Sequence, residues 1–208
     1  VHYVKCYNEL DLIKRFIDEF TGNYPDIITG WYVKFFDVPY LVNRITKLMG
    51  QDFAKRLSPW NILNERMINI MGKDQQVWLP LGIALLDYLD LYQKFTYANQ
   101  ESYKLDYIAS VELGEKKLEN SYDNFKDFYT KDWMKFVKYN IHDTELVDKL
   151  EDKMRLIELV YTMAYNAKIN FEDVFSPVRM WDSIIYNYLH ERKITIPLKK
   201  DSTKSAEF

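Results

Sequence analysis

Within the first fifty residues, two short runs of strand formers are each followed by a stretch with the period of an amphipathic helix. His2-Tyr3-Val4-Lys5-Cys6-Tyr7 alternates, and Leu10, Ile13, Phe16, Ile17 and Phe20 then recur at helical spacing before Gly22. After Tyr24-Pro25, the run Asp26 to Trp31 is short, apolar and β-branched, as a buried strand requires. Asp37 follows where a helix would be capped, with Pro39 in the first turn. Tyr40, Leu41, Ile45, Leu48 and Met49 supply an apolar face that ends at Gly50. This β-α-β-α start predicts an α/β fold.

Further on, Val77 to Ile83 reads as a strand broken by Pro80 and Gly82, leading into a helix over Leu85 to Tyr92. Asn120 to Lys126 is a polar, turn-prone connection. From Phe125 onward the pattern is helical, with Trp133, Phe136, Val137 and Asn140, and then Leu146, Leu150, Met154, Ile157 and Tyr161 on one long stripe. Ser176-Pro177 restarts a helix whose apolar positions are Val178, Trp181, Ile184, Ile185, Tyr188 and Leu189. The residues after Ile196-Pro197 form a polar tail. Both ends have the composition of edges that continue into neighbouring chain.

Hydrophobic residues make up 48% of the chain and aromatic residues 16%, which is too much apolar surface for a disordered protein. Cys6 is the only cysteine, so neither an intrachain disulfide nor a cysteine-based zinc site can form, and a reducing cytoplasm fits. No apolar run approaches the ~20 residues of a membrane-spanning helix. The net charge of -3 is not that of a simple nucleic-acid binder. An enzyme that meets DNA through metal ions escapes that objection, because its clustered carboxylates lower the charge. Glycine-rich phosphate loops and nucleophile elbows are absent, which leaves P-loop hydrolysis and acyl transfer without support.

Two segments carry candidate chemistry. In Trp31 to Tyr40, Asp37 sits where a strand hands over to a helix among bulky aromatics, and a carboxylate fixed in this way is what a metal-dependent phosphodiesterase needs. The same pattern also describes a plain helix cap, and the two roles are compatible. In Tyr139-Asn140-Ile141-His142-Asp143, the phenol and the carboxylate are four apart and share one helix face. Such an Asp can bind a metal while the Tyr orients a water, although an ordinary amphipathic helix gives the same spacing. Asp143 and Glu145 splay about 200° apart on a helix and are not a bridging pair. Lys116-Lys117, with Lys131, Lys135 and Lys138, either face phosphate or form a solvated surface. His2, His142 and His190 share no metal-ligand spacing.

Taken in order, these segments resemble the 3′→5′ exonuclease domain of family B DNA polymerases of T-even-like bacteriophages. Asp26 to Tyr40 resembles the second exonuclease motif, Gly-Trp-Asn followed by Phe-Asp-x-Pro-Tyr, and Tyr139 to Asp143 resembles the third, Tyr-x-x-x-Asp. Asp37 and Asp143 are 106 residues apart, about the family's separation. Leu57-Ser58-Pro59, Leu86 to Phe95 and Ser176 to Asp182 fall in order around them. The resemblance implies a ribonuclease H-like, helix-rich fold truncated at its N-terminal strands. It divides the chain into a partial exonuclease domain at 1–155 and a helical segment at 156–208 that returns to the polymerase N-terminal domain. It implies Asp37 and Asp143 as ligands of Mg2+ or Mn2+ in a two-ion site, with Tyr139 positioning the attacking water. Tyr32, Phe36, Tyr40, Lys116 and Lys117 are implied contacts for a single-stranded primer 3′ end, with Phe35 a further aromatic beside them.

Two departures from the family pattern stand out. Its first motif, a strand Asp-Ile-Glu carrying the other metal-binding carboxylates, has no counterpart here, which implies an incomplete and inactive site in the isolated chain. The family's Asn in Gly-Trp-Asn is Tyr32, which removes an amide contact. The expected partners are the primer end and the rest of the polymerase, with no membrane, in the cytoplasm of an infected bacterium. The alternative is a non-catalytic ribonuclease H-like module that docks DNA or replication proteins.

Overall fold

A computed structural model describes residues 3–70, 72–118, 122 and 124–196. The chain divides into two compact units, Val1–Glu158 and Leu159–Phe208.

The first unit opens with α1 (Glu9–Gly22), whose Asn8 cap accepts a hydrogen bond from the Asp11 amide at 2.9 Å. Residues 3–8 carry no strand, so the alternation read over His2–Tyr7 does not find a partner within the described residues. β1 (Ile27–Gly30) follows and pairs in parallel with β4 (Ala84–Asp87), in a register that sets Gly30 opposite Asp87. Between them lie α2 (Asp37–Met49), α3 (Gln51–Ala54) and an antiparallel hairpin of β2 (Leu63–Ile70) and β3 (Lys73–Pro80). Ile13 and Ile17 of α1 and Val42 and Ile45 of α2 form one core with Leu57, Trp78 and Leu85. The i, i+3 and i, i+4 spacing of these helix positions directs them to a common side.

Leu85 to Asp87, read in sequence as the start of a helix, is strand, and α4 (Tyr88–Phe95) begins after it. Three apolar or acidic residues have no measurable period, and pairing with β1 decides the conformation. The turn into β4 is tied down by Ser58, which is fully buried. Its hydroxyl donates to the Leu81 carbonyl at 2.6 Å and accepts from the Trp60 and Ile62 amides at 3.1 and 3.2 Å. Ser58→Ala leaves these backbone groups unpaired and is expected to cost about 1–3 kcal/mol in a denaturant titration. A loss below the error of that titration would mean that water replaces the hydroxyl.

α5 (Leu105–Glu112) leads to α6 (Phe125–Lys131) and to the long α7 (Trp133–Met154). Of the connection read at Asn120–Lys126, residues 119–121 and 123 lie outside the described residues. The single helical stripe expected through Tyr161 is two helices. Arg155 adopts a left-handed conformation (φ 53°) that ends α7, and α8 (Leu156–Ala167) starts at once. Glu151 steadies this break: it accepts from the Tyr88 hydroxyl at 3.0 Å and the Ile157 amide at 3.1 Å. Burial, with Glu151 beside it, holds the Tyr88 phenol well above its ordinary pKa.

In the second unit, Ser183 donates to the Ala167 carbonyl at 2.7 Å and Tyr161 meets Phe171 edge-on at 4.9 Å. α9 (Pro177–Glu191) starts as the sequence predicts, with Ser176 as cap and Pro177 as first residue. The polar tail from Pro197 onward lies outside the described residues.

Candidate functional site

β1 ends at Gly30, and the chain reaches Asp37 through a six-residue loop before α2 begins. The helix cap is Phe36 and makes no side-chain capping bond, so Asp37 is the first helical residue and not the cap the sequence suggested. Its side chain is free of that duty. Partial burial pushes the Asp37 carboxyl above the ordinary aspartate value, against the pull of its own backbone amide. Because the folded value exceeds that of the unfolded chain, this group contributes stability below the ordinary carboxylate pKa and loses it as pH rises through the folded value. A carbon NMR titration of Asp37 is expected to show a midpoint above the ordinary range; a midpoint at or below it would contradict this environment.

Asp37 and Asp143, 106 residues apart in sequence, line one cavity of about 1140 Å3 in the first unit. Trp31, Tyr32 and Lys117 line it as well, as does Glu145, which the sequence reading had discounted as a partner of Asp143. Asp143 sits on α7, where one carboxylate oxygen accepts from the Lys117 ammonium at 2.5 Å and the other is buried without a hydrogen-bond partner among the described residues. Lys117 thus faces a carboxylate, although phosphate was the expected partner, and its ammonium also stands 5.7 Å from the centre of the Tyr139 ring. Both members of the Tyr-x-x-x-Asp segment therefore meet one lysine, as a shared helix face requires. Tyr139 is not among the cavity-lining residues and packs edge-on against Phe125 and Phe128.

Phe36 and Tyr40 lie parallel, 6.5 Å apart, with 65% and 63% of their surface exposed; they stack on each other outside the cavity. Tyr32 is held at φ 67°, meets the Phe35 ring at 5.5 Å with the planes tilted by 37°, and donates from its hydroxyl to Gln75 of β3 at 3.4 Å. A left-handed backbone favours Gly or Asn over a bulky aromatic, so this loop carries local strain. Lys116 is exposed, and its carbonyl lies 3.1 Å from His142 Nε2.

Asp87 escaped the sequence reading. It is buried, and its carboxylate accepts from the amides of Tyr32, Lys34 and Leu89, each at 3.0 Å. Burial pushes its carboxyl up against the pull of those amides. The available signal was an acidic residue at a strand-to-helix handover, the same signal that drew attention to Asp37.

Among the described residues no group of three His, Cys, Asp or Glu side chains could hold a metal ion. Of the carboxylates that line the cavity, Asp37 and Asp143, the latter with a buried oxygen that has no hydrogen-bond partner among the described residues, fit part of a divalent-cation site and not a whole one. Nor is any described helix long and apolar enough to cross a membrane.

The model for the exonuclease domain of DNA polymerase family B matches residues 2–108, a span that includes Asp37 and Asp87 but stops before Lys117 and Asp143. The chain is 39% identical over 196 residues to a DNA-directed DNA polymerase of Escherichia phage RB69, covering 94% of the chain and 22% of that protein. It is 34% identical over 207 residues to a DNA-directed DNA polymerase of Enterobacteria phage T4, covering 99% of the chain and 23% of that protein. A DNA polymerase of Bombyx mori nuclear polyhedrosis virus is 28% identical over 181 residues. The chain thus spans less than a quarter of the length of these relatives. With the family pattern covering half of its length and running through the Asp37 loop, the chain belongs to DNA polymerase family B, in the exonuclease domain.

Proposed function

We propose that these residues form the proofreading 3′→5′ exonuclease portion of a longer DNA-directed DNA polymerase, hydrolysing a phosphodiester at a single-stranded primer 3′ end. The observation that carries this reading is that Asp37 and Asp143 both line one cavity. The fold we propose is ribonuclease H-like, with residues 1–155 in the exonuclease domain and 156–208 returning toward the polymerase N-terminal domain. The setting is the cytoplasm of an infected bacterium, as befits a relative of phage polymerases.

In this reading Asp37 and Asp143 contribute carboxylates to a site for Mg2+ or Mn2+, ions that activate water and stabilise a leaving oxygen when bound. Lys117 neutralises Asp143 and stands over the ring of Tyr139, which shares a helix face with Asp143 but lies off the cavity lining; the proposed role of this tyrosine is to orient the attacking water. Tyr32 lines the cavity and offers a ring to the terminal base. Phe36 and Tyr40, exposed beside it, offer stacking surfaces worth about 1–3 kcal/mol per base. Lys116, also exposed, offers a charge to phosphate.

Asp37 and Asp143 are an incomplete donor set, and no described group of three His, Cys, Asp or Glu could complete it, so the 208 residues alone are expected to leave a 5′-labelled single-stranded oligonucleotide intact in Mn2+. The longer polymerase chain digests it from the 3′ end. Digestion by the 208 residues, lost on substituting Asp37 and Asp143, would show that two carboxylates suffice. Inactivity of the longer chain as well would favour a non-catalytic module that docks DNA or replication proteins.

A further inference from the structure

We propose that Asp87 is a positioning residue of the exonuclease site, holding the loop that aims Asp37. The inference rests on the reading of Asp37 as a site carboxylate.

The loop from Trp31 to Phe36 belongs to neither strand nor helix, and Tyr32 within it occupies the left-handed region. Such a loop keeps one shape only if its polar groups are held from outside. Asp87 does this across the parallel pair. Its place opposite Gly30 puts its carboxylate beside the next stretch of chain, where one oxygen takes the Tyr32 amide and the other the Lys34 amide. The carbonyls of the same loop continue the connection. The Phe36 amide donates to Tyr32 O at 3.2 Å and the Val38 amide to Val33 O at 3.0 Å, and these two amides flank Asp37. Asp87 thus holds Tyr32, whose carbonyl takes the amide of the α2 cap residue Phe36, and it brackets Val33, whose carbonyl takes the amide of Val38 in the first turn. The bond to Leu89, by contrast, caps α4 and is a separate duty of the same side chain.

The Tyr32 and Leu89 amides share one carboxylate oxygen and the Lys34 amide has the other to itself, so two variants test the two-oxygen bridge while an acceptor for the cap remains. Asp87→Ser keeps a short acceptor for the Leu89 cap and drops the bridge to the loop; Asp87→Asn keeps the shape and removes one acceptor oxygen. In the 208-residue protein, both are expected to speed hydrogen exchange at the Tyr32 and Lys34 amides by roughly 10-fold while α1 is unchanged. In the longer polymerase chain, both are expected to lower the exonuclease kcat on a single-stranded oligonucleotide by about 100-fold, with nucleotide incorporation unchanged.

Unchanged exchange at both amides, or an unchanged kcat beside faster exchange, would overturn the proposal. Exchange that accelerates equally in α1 would do so too, because Asp87 would then be a general stabiliser. A wild-type polymerase without 3′→5′ activity would defeat the exonuclease reading instead, and the exchange data would still decide whether Asp87 governs the loop.

Discussion

Gly82→Ala is expected to lower the melting temperature of the chain by about 4–12 °C, which corresponds to about 2–4 kcal/mol in a protein of this size. Gly82 stands at φ 93°, a conformation that a side chain disfavours, and a Cβ there would lie 2.7 Å from Pro59 Cγ. Neither side of that contact yields easily. Pro59 follows the buried Ser58, whose hydroxyl grips the Leu81 carbonyl next to Gly82, and Leu81 donates back to the Ile62 carbonyl at 3.0 Å. The turn thereby anchors the start of β4, and β4 carries Asp87 to the Asp37 loop. A thermal melt checks the result, and a shift of less than a degree would mean that Pro59 moves aside.

The largest expected effect on chemistry comes from the two carboxylates. In the longer polymerase chain, Asp37→Ala and Asp143→Ala are each expected to slow digestion of a single-stranded oligonucleotide by about a thousandfold or more. Removing a fixed ligand of a divalent ion forfeits several kcal/mol of transition-state stabilisation, and each 1.4 kcal/mol is a factor of ten. Neither substitution is expected to unfold the protein, because Asp37 makes no capping bond and Asp143 pairs with a partly exposed lysine. Melting curves within a few degrees of the unsubstituted protein distinguish lost chemistry from lost fold.

Much of this arrangement is legible in the sequence, and the failures share a cause. α1, β1, α2 and α9 follow from hydrophobic period and from local signals such as Ser176-Pro177. Val77 to Pro80 of β3 reads as strand, but β2, and with it the hairpin, does not, because Leu63 to Ile70 mixes Asn64, Glu65, Arg66 and Asn69 into the strand without clean alternation. Cross-strand pairing overrides that weak local signal. Leu85 to Asp87 was misread for a related reason, since its conformation is set by a strand more than fifty residues upstream.

At the site, Asp37, Tyr139 and Asp143 are visible as short motifs. The link from Lys117 to both Tyr139 and Asp143 is not, because Lys117 lies on a different segment and its role depends on tertiary placement. Asp87 is the clearest case: a single acidic residue in sequence becomes a threefold acceptor only when the register puts it against the Asp37 loop.

The claim that Asp37 and Asp143 serve one site is tested most directly by a double-mutant cycle on 3′→5′ digestion in the longer polymerase chain. If both carboxylates act on the same reacting phosphate, the first substitution already removes the chemistry, and the double variant is no slower than the slower single variant. Two effects that multiply would mean that the carboxylates act independently, and the shared cavity would then not be the seat of the reaction.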